Sequence, residues 1–336
     1  MKVRQAVIMV GGKGTRLRPL TDTCPKPVLP VLDRPCLDYL IDSMARGGVE
    51  HIILACGYRS EQVTNAIGDG SSRNIKIEYS YEDGPMGTAG AIKLIENKLD
   101  DVFIAANGDV FADIDIAAEI NDHFNSGACV TISLTHVPNP CEFGIARVDN
   151  SGRITEFKEK PKQEEVFSDL INAGVYVVNK DVLKLVPKGE MYDFSKELLM
   201  DLMRRGERIQ GHTISGVWKD VGRPIDLINS NLVMAGRNKS IGKTSESDLE
   251  SPYFVGKEAT VKRSSLRSSV VSRRSSVTDS VISGSLVMEN CIISGSEMTN
   301  TIIGKGCRIT NSKLSDMVVG DGTVLEGKTM KGDQNV

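Results

Sequence analysis

The stretch "VGGKGTRLRPLT", Val10 to Thr21, sets Gly11, Gly12 and Gly14 beside Lys13, Arg16 and Arg18, where the first apolar run of the chain stops. Glycines let backbone N–H groups come close to phosphate oxygens. Thr15 adds a hydroxyl, and the fork of Arg16 suits two oxygens of one phosphate. A few residues on, "CPKPVLPV" holds Lys26 between prolines, which restrict the backbone and aim one ammonium at a fixed point. Together these are the parts of a phosphate cradle. Neither common phosphate motif applies. A Walker A loop would need Gly where Val7 stands and Ser or Thr where Gly14 stands. A dinucleotide fingerprint would need Gly at Leu17.

Further on, in order, come "GTAGA" at 87–91, "NGD" at 107–109, "EFG" at 142–144, "FKEKP" at 157–161, "NAGVY" at 172–176 and "WKDVGRP" at 218–224. With the opening loop, this series resembles the sugar-1-phosphate nucleotidyltransferases, or NDP-sugar pyrophosphorylases, over residues 3 to about 235. The likeness is strongest to the mannose-1-phosphate guanylyltransferase branch.

The resemblance implies that an NTP and a sugar 1-phosphate react to give an NDP-sugar and pyrophosphate. The attacking phosphate oxygen is already anionic, so no general base is needed. Accordingly His51, His123, His136 and His212 all lie outside the motifs. The task is to neutralise two mutually repelling phosphates and hold them in line. The family pattern makes Asp109 and Asp220 ligands of Mg²⁺. Arg16 would stabilise the departing pyrophosphate, Lys26 would meet the region of the α-phosphorus, and Lys160 would hold the sugar phosphate. Gly11, Gly12, Gly14, Thr15, Gly87 and Thr88 are expected around the nucleotide. Asn107, Gly144, Glu159, Asn172 and Gly174 are expected around the sugar.

Glu82 stands five residues before Gly87, where relatives using UTP or dTTP carry Gln. An ionised carboxylate only accepts hydrogen bonds. Guanine offers it the adjacent donors N1–H and N2, so GTP and mannose 1-phosphate are the expected substrates. Two alternatives stand beside this one. The first is a UTP- or dTTP-dependent glucose-1-phosphate enzyme. The second is a non-catalytic subunit that binds NDP-sugar, which should have lost some of the five charged residues that are all present here.

These residues need elements to place them. "VRQAVIMV", "HIILACG", "IKIEYS" and "DVFIAANGD" read as strands. "CLDYLIDSMARGG", "SEQVTNAIG" and "TAGAIKLIENKL" read as helices, the first stopped by Gly47-Gly48. The alternation predicts an α/β, Rossmann-like domain with a mostly parallel sheet over residues 1–235. Ligands in such sheets sit at the carboxyl ends of strands, where the glycine loop and "NGD" fall. Residues 236–254 are polar and read as a tether. From Val255 a step of 6, 5, 5 residues lands on Val261, Leu266, Val271, Val277, Ile282, Val287, Ile293, Met298, Ile303, Ile309, Leu314, Val319 and Leu325, all apolar. That period predicts a C-terminal left-handed parallel β-helix over 255–330, with assembly of a homo-oligomer as its expected role.

A chain of 336 residues is long for one core. The net charge of −3 argues against a nucleic-acid binder. Seven cysteines without a CxxC pair suit reduced thiols. No apolar stretch is long enough to span a bilayer, so a cytoplasmic protein is expected.

Overall fold

The structure is a computed structural model that describes residues 2–57, 59–82 and 84–332. The chain forms two compact units, residues 1–12 with 37–218, and residues 13–36 with 219–336.

The first unit is built on one sheet. Strand Gln5–Val10 is buried at all six positions and lies between parallel partners His51–Cys56 and Val102–Asn107. Ile8 stands opposite Leu54 on one side and Ala106 on the other. Lys76–Tyr81 extends the parallel set beyond His51–Cys56. A strand buried on both faces reads as an unbroken apolar run rather than an alternation, and "AVIMV" has that form. On the other side the sheet turns antiparallel. Strand Leu170–Asn179 pairs with Val102–Asn107, with Val130–His136 and at one point with Gly144–Val148. The sheet is therefore parallel where the sequence places its first strands and mixed beyond residue 128. Helix Cys36–Arg46 buries Leu37, Leu40, Ile41 and Met44, the 3- and 4-residue spacing of one helical face, and the chain turns away at Gly47-Gly48. Helix Gly87–Leu94 places Ala89, Ala91 and Ile92 in a core shared with Phe103, Tyr176 and Phe194.

In the second unit, helix Pro224–Arg237 leads into a stack of parallel coils. The period expected from the sequence is what the coils follow. Val261, Val277, Ile293, Ile309 and Leu325 form one inward ladder. Leu266, Ile282, Met298 and Leu314 form a second, and Val271, Val287, Ile303 and Val319 a third. All of these are buried in one core, so the tail is a parallel β-helix. The tether expected at 236–254 is corrected. Lys243–Ser245 pairs parallel with Thr260–Lys262, and Asp248–Val255 pairs parallel with Ser265–Val271, so coiling begins before Val255. A coil needs only about one inward apolar residue per side. Run backwards from Val255, the step lands on Glu250 and Ser245, both polar, because a register shift between Glu250 and Tyr253 puts Leu249, which packs on the core, one place out of step.

Candidate active site

The carboxyl ends of Gln5–Val10 and Val102–Asn107 open onto a cavity of about 350 Å³. Of the residues singled out in the sequence, Gly11, Gly12, Glu82, Gly87, Thr88, Asn107 and Asp109 line it. A larger cavity, about 900 Å³, lies at the opposite end of the same strand, beside Val102, and contains none of them. The strand-end rule favours the smaller one. Glu82 is half-buried, and burial raises its carboxyl above the ordinary value while the Met86 N–H pulls it back. Gly87 has φ +70°, and a Cβ there would stand 2.6 Å from the Tyr192 carbonyl oxygen, so only glycine fits this turn. The Thr88 hydroxyl accepts from Phe194 N at 2.7 Å and donates to Asp193 Oδ2 at 3.4 Å. Its oxygen thus ties down the segment that brings Asp193 to the cavity wall.

The residues expected around the sugar adjoin this wall. A Cβ on Gly174 would lie 2.7 Å from Asn107 Nδ2, and one on Gly144 would lie 2.6 Å from Glu159 Oε2. Strand Leu170–Asn179 shifts register between Asn172 and Tyr176, a bulge of the kind that re-aims backbone beside active sites. Asn172 makes that bulge. Its Oδ1 accepts from Gly174 N at 2.9 Å, while Nδ2 donates to Tyr176 Oη at 2.8 Å and to Ser195 Oγ at 3.1 Å. Both amide hydrogens are therefore engaged within the protein. Burial raises the Glu159 carboxyl, and the negative charge of Asp193 adds to the rise. Lys160 is exposed, with φ +46°, and donates its backbone N–H to Phe143 O at 2.9 Å.

A second group of expected residues meets within the other unit. The Lys26 ammonium, buried with its side chain 7% exposed, lies 3.2 Å from Asp220 Oδ1. A Cβ on Gly222 would come within 2.8 Å of Asp220 Oδ2 and 3.0 Å of the Arg16 guanidinium. Arg16 and Asp220 thus meet at one glycine, and Lys26 joins them through its pair with Asp220. Gly14 closes the loop behind them: its carbonyl accepts from the Thr21 hydroxyl at 2.9 Å, and a Cβ on it would touch Lys26 Cβ at 3.1 Å. Thr15 opens the short helical turn Thr15–Leu17 that carries Arg16. A buried ammonium is costly unless paired, and Asp220 supplies the partner.

Two acidic residues were not expected. Asp193 lines the cavity, and Asp226 lies near the Arg16 cluster. Burial raises the Asp226 carboxyl and Asp220 raises it further, against the pull of the Arg223 N–H and of the Arg223 and Arg16 charges. Asp193 carried a signal, since an Asp ahead of "FSKELL" is a helix N-cap, and its Oδ1 does accept from Ser195 and Lys196 N–H at 2.9 Å. That this residue also lines a cavity had no sequence signal.

The chain belongs to the nucleotidyl transferase family, whose model matches residues 5–235. It is 38% identical over 228 residues to a mannose-1-phosphate guanylyltransferase of Mycobacterium tuberculosis, covering 67% of this chain and 63% of that one. It is 32% identical to a UTP–glucose-1-phosphate uridylyltransferase of Synechocystis, covering 66% of this chain and 61% of that one. The matched stretch thus spans about three-fifths of the length of these two relatives. A solved structure of a putative glucose-1-phosphate thymidylyltransferase from Bacillus anthracis superposes with a TM-score of 0.62 at 25% identity, covering 69% of this chain and 95% of that one.

Proposed function

We propose that this chain transfers a nucleotidyl group from an NTP to a sugar 1-phosphate, and that GTP and mannose 1-phosphate are its substrates. The observation that carries the reading is the meeting of Arg16, Lys26 and Asp220: one oxygen of Asp220 pairs with the Lys26 ammonium, and the other lies with the Arg16 guanidinium beside Gly222. In the reaction a sugar-phosphate oxygen bonds to the α-phosphorus, the bond from that phosphorus to the bridging oxygen breaks, and pyrophosphate leaves with the electron pair. Arg16 takes up charge on the leaving group. Lys26 stands at the transferring phosphorus, and Lys160 holds the sugar phosphate. Glu159, with its raised carboxyl, accepts from sugar hydroxyls, and the backbone at Gly144 and Gly174 lets the sugar ring approach. Residues 1–235 hold these parts and form the catalytic domain.

The donor set fits Mg²⁺. Asp109 and Asp220 are hard oxygen ligands, and no group of three or more His, Cys, Asp or Glu converges among the described residues, so the ion would take its other ligands from phosphate and water. When bound it supplies positive charge that the phosphates share. The Lys26 ammonium lies against one oxygen of Asp220, at 3.2 Å.

Glu82 supports the choice of base. It lines the cavity with Gly87 and Asp109 rather than standing free in the "YEDGP" turn. A carboxylate facing a pyrimidine carbonyl would be mismatched in a half-buried site, at about 1–3 kcal/mol. Pyrophosphate release across a matrix of NTPs and sugar 1-phosphates tests the reading. GTP with mannose 1-phosphate is expected to be fastest, and Glu82→Gln is expected to shift preference toward UTP or dTTP. A wild-type preference for UTP or dTTP would overturn the base assignment, and no release with any pair would favour a binding subunit.

The β-helix suits assembly as well. Ile292 and Val324 are 41% and 67% exposed in the outward ladder Ser276–Ile292–Arg308–Val324. No described helix is long and apolar enough to cross a membrane. We place the enzyme in the cytoplasm, where its two phosphorylated substrates would be found.

A further inference from the structure

The loop that carries Arg16 and Lys26 is fastened to the β-helix within the same compact unit. Just past Lys26 the chain makes a small hairpin in which Pro30 pairs with Pro35 and Val31 with Arg34. At its tip Leu32 is buried in a left-handed backbone, φ +55°, a conformation that a bulky side chain adopts only when held. It is held from both sides. Its N–H donates to Asn231 Oδ1 at 2.7 Å, and its carbonyl accepts from Ser272 Oγ at 3.4 Å. Asn231 also donates to the Pro30 carbonyl at 3.2 Å.

Asp33 makes the second fastening. Its Oδ2 accepts from Lys257 N at 2.8 Å and its Oδ1 from Arg273 N at 2.7 Å, one carboxylate bridging two successive coils. Gly256 leaves room for it, since a Cβ there would lie 2.5 Å from Asp33 Oδ2. The same corner three coils further on shows what this bond replaces. There Lys305 N donates to Asp321 Oδ1 at 2.7 Å beside Gly304, a bond between coils made by the stack's own aspartate. Asp33 acts as such a residue, but supplied by the loop. Asp321 in turn accepts from the Thr23 hydroxyl through Oδ2 at 2.6 Å. The loop therefore meets the β-helix at two places, at Arg273 and at Asp321, three coils apart. At about 4.8 Å per coil these places are roughly 14 Å apart. Lys26 lies in the segment between the two fastenings, and Arg16 lies seven residues before the first.

We propose that the β-helix is a positioning element of the catalytic site, with Asp33, Asn231 and the Thr23–Asp321 pair setting where Arg16 and Lys26 stand. This rests on the function proposed above for those two cations and adds a role for the tail besides assembly. A misplacement of about 1 Å in a site that works by alignment can cost a hundredfold in rate, so loosening one fastening is expected to lower kcat by about tenfold or more.

Amide hydrogen exchange on the full-length chain, beside pyrophosphate-release kinetics, tests this. For Asp33→Ala, exchange over residues 13–29 should speed up while strand Gln5–Val10 stays as protected as in wild type, and kcat should fall. Asp33→Asn, which keeps one oxygen acceptor, should recover part of both. Lys313→Ala, on a ladder away from these fastenings, should change neither. If Asp33→Ala does not fold, Thr23→Val on the exposed bond takes its place with the same expectation. Exchange over 13–29 equal to wild type would overturn the proposal, as would faster exchange with undiminished kcat. Should the wild-type chain turn over no sugar 1-phosphate, the proposed function fails, and the exchange pattern alone then decides whether the β-helix holds the loop.

Discussion

In the sheet unit, Glu119 lies fully buried, with Ser133 Oγ donating to its Oε2 at 2.6 Å and its Oε1 without a hydrogen-bond partner among the described residues. Four residues on along the same helix, His123 is equally buried, with Nδ1 2.9 Å from Thr131 Oγ1 and Nε2 3.0 Å from Asn179 Oδ1. Each of these is a solution found once, for one place. In the β-helix, buried polar groups repeat. Ser264, Ser280, Ser296 and Ser312 each accept, at 3.1 Å, the N–H of a residue one coil on. Each also donates, at 2.8 Å, to the carbonyl two residues back. The sheet unit concentrates polar burial in a few costly spots, where titratable groups acquire unusual properties. The coil stack spreads it evenly with neutral hydroxyls. Displaced carboxyl titration is accordingly expected at a site such as Glu119, and the rigidity of a scaffold from the coil stack.

The sharpest break in that comparison is expected at Asp109 and Asp220, the two carboxylates proposed as metal ligands. Asp109→Asn and Asp220→Asn are each expected to lower turnover by on the order of 10²–10³-fold, as loss of a charge-stabilising group commonly does. Melting temperature should stay near that of wild type for Asp109→Asn. EDTA should abolish turnover in wild type, and added Mg²⁺ should restore it. Full activity in EDTA would remove the metal from the reading.

The coil stack was the more legible of the two units. Its inward ladders have one apolar residue every five or six positions, and that pattern survives in the sequence because each coil repeats the same geometry. The parallel strands were legible too, as short runs such as "HIILAC" with turn residues after them. What stayed hidden depended on pairing distant segments. The first coil opens on the wholly polar strand Lys243–Ser245 and is thrown out of step by a register shift in Asp248–Val255, so its strands are recognisable only by their neighbours in the stack. The bonds from Asp33 go to backbone N–H groups, which every residue but proline has, so no residue type at 257 or 273 announces them. The motifs pointed to Lys26 and Asp220 separately. Their 3.2 Å approach spans 194 positions of sequence.

The fully buried Glu119 carboxyl of the sheet unit gives the next effect. Burial holds the Glu119 pKa up at about 8, against the pull of the Ser133 hydrogen bond and helped by the charge of Asp122. The folded protein therefore keeps a proton there that the unfolded chain gives up near pH 4.5. That stabilisation is complete below about pH 4.5, declines as pH rises, and is gone above about 8. Between those limits, one released proton corresponds to a slope of about 1.4 kcal/mol per pH unit. Glu119→Gln is expected to flatten the fall in unfolding free energy between pH 5 and 8 relative to wild type. Parallel pH profiles for the two proteins would show that Glu119 is ionised when folded.

The smallest effect tests whether the serines of the coil stack matter one by one. Ser280→Ala removes a hydroxyl that accepts from Ser296 N at 3.1 Å and donates to Thr278 O at 2.8 Å. Alanine fits the space, so no cavity of consequence forms. What is left is a buried amide without a partner, at a cost of about 1–3 kcal/mol. Ser296→Ala does the same to Ser312 N, one coil further along. The two orphaned amides are different groups, and in a stack whose stability is a sum over neighbouring coils their costs should add. Denaturant unfolding of the β-helix in both single variants and the double variant reads this directly. The double variant is expected to lose about as much as the two singles together, with turnover close to wild type in all three because none of these bonds touches residues 13–36. Neutral single variants would mean that water reaches these amides and that the ladder contributes little. A double variant that loses far more than the sum would mean that the coils unfold as one block, and the contrast with the sheet unit would then lie in cooperativity rather than in how polar groups are buried.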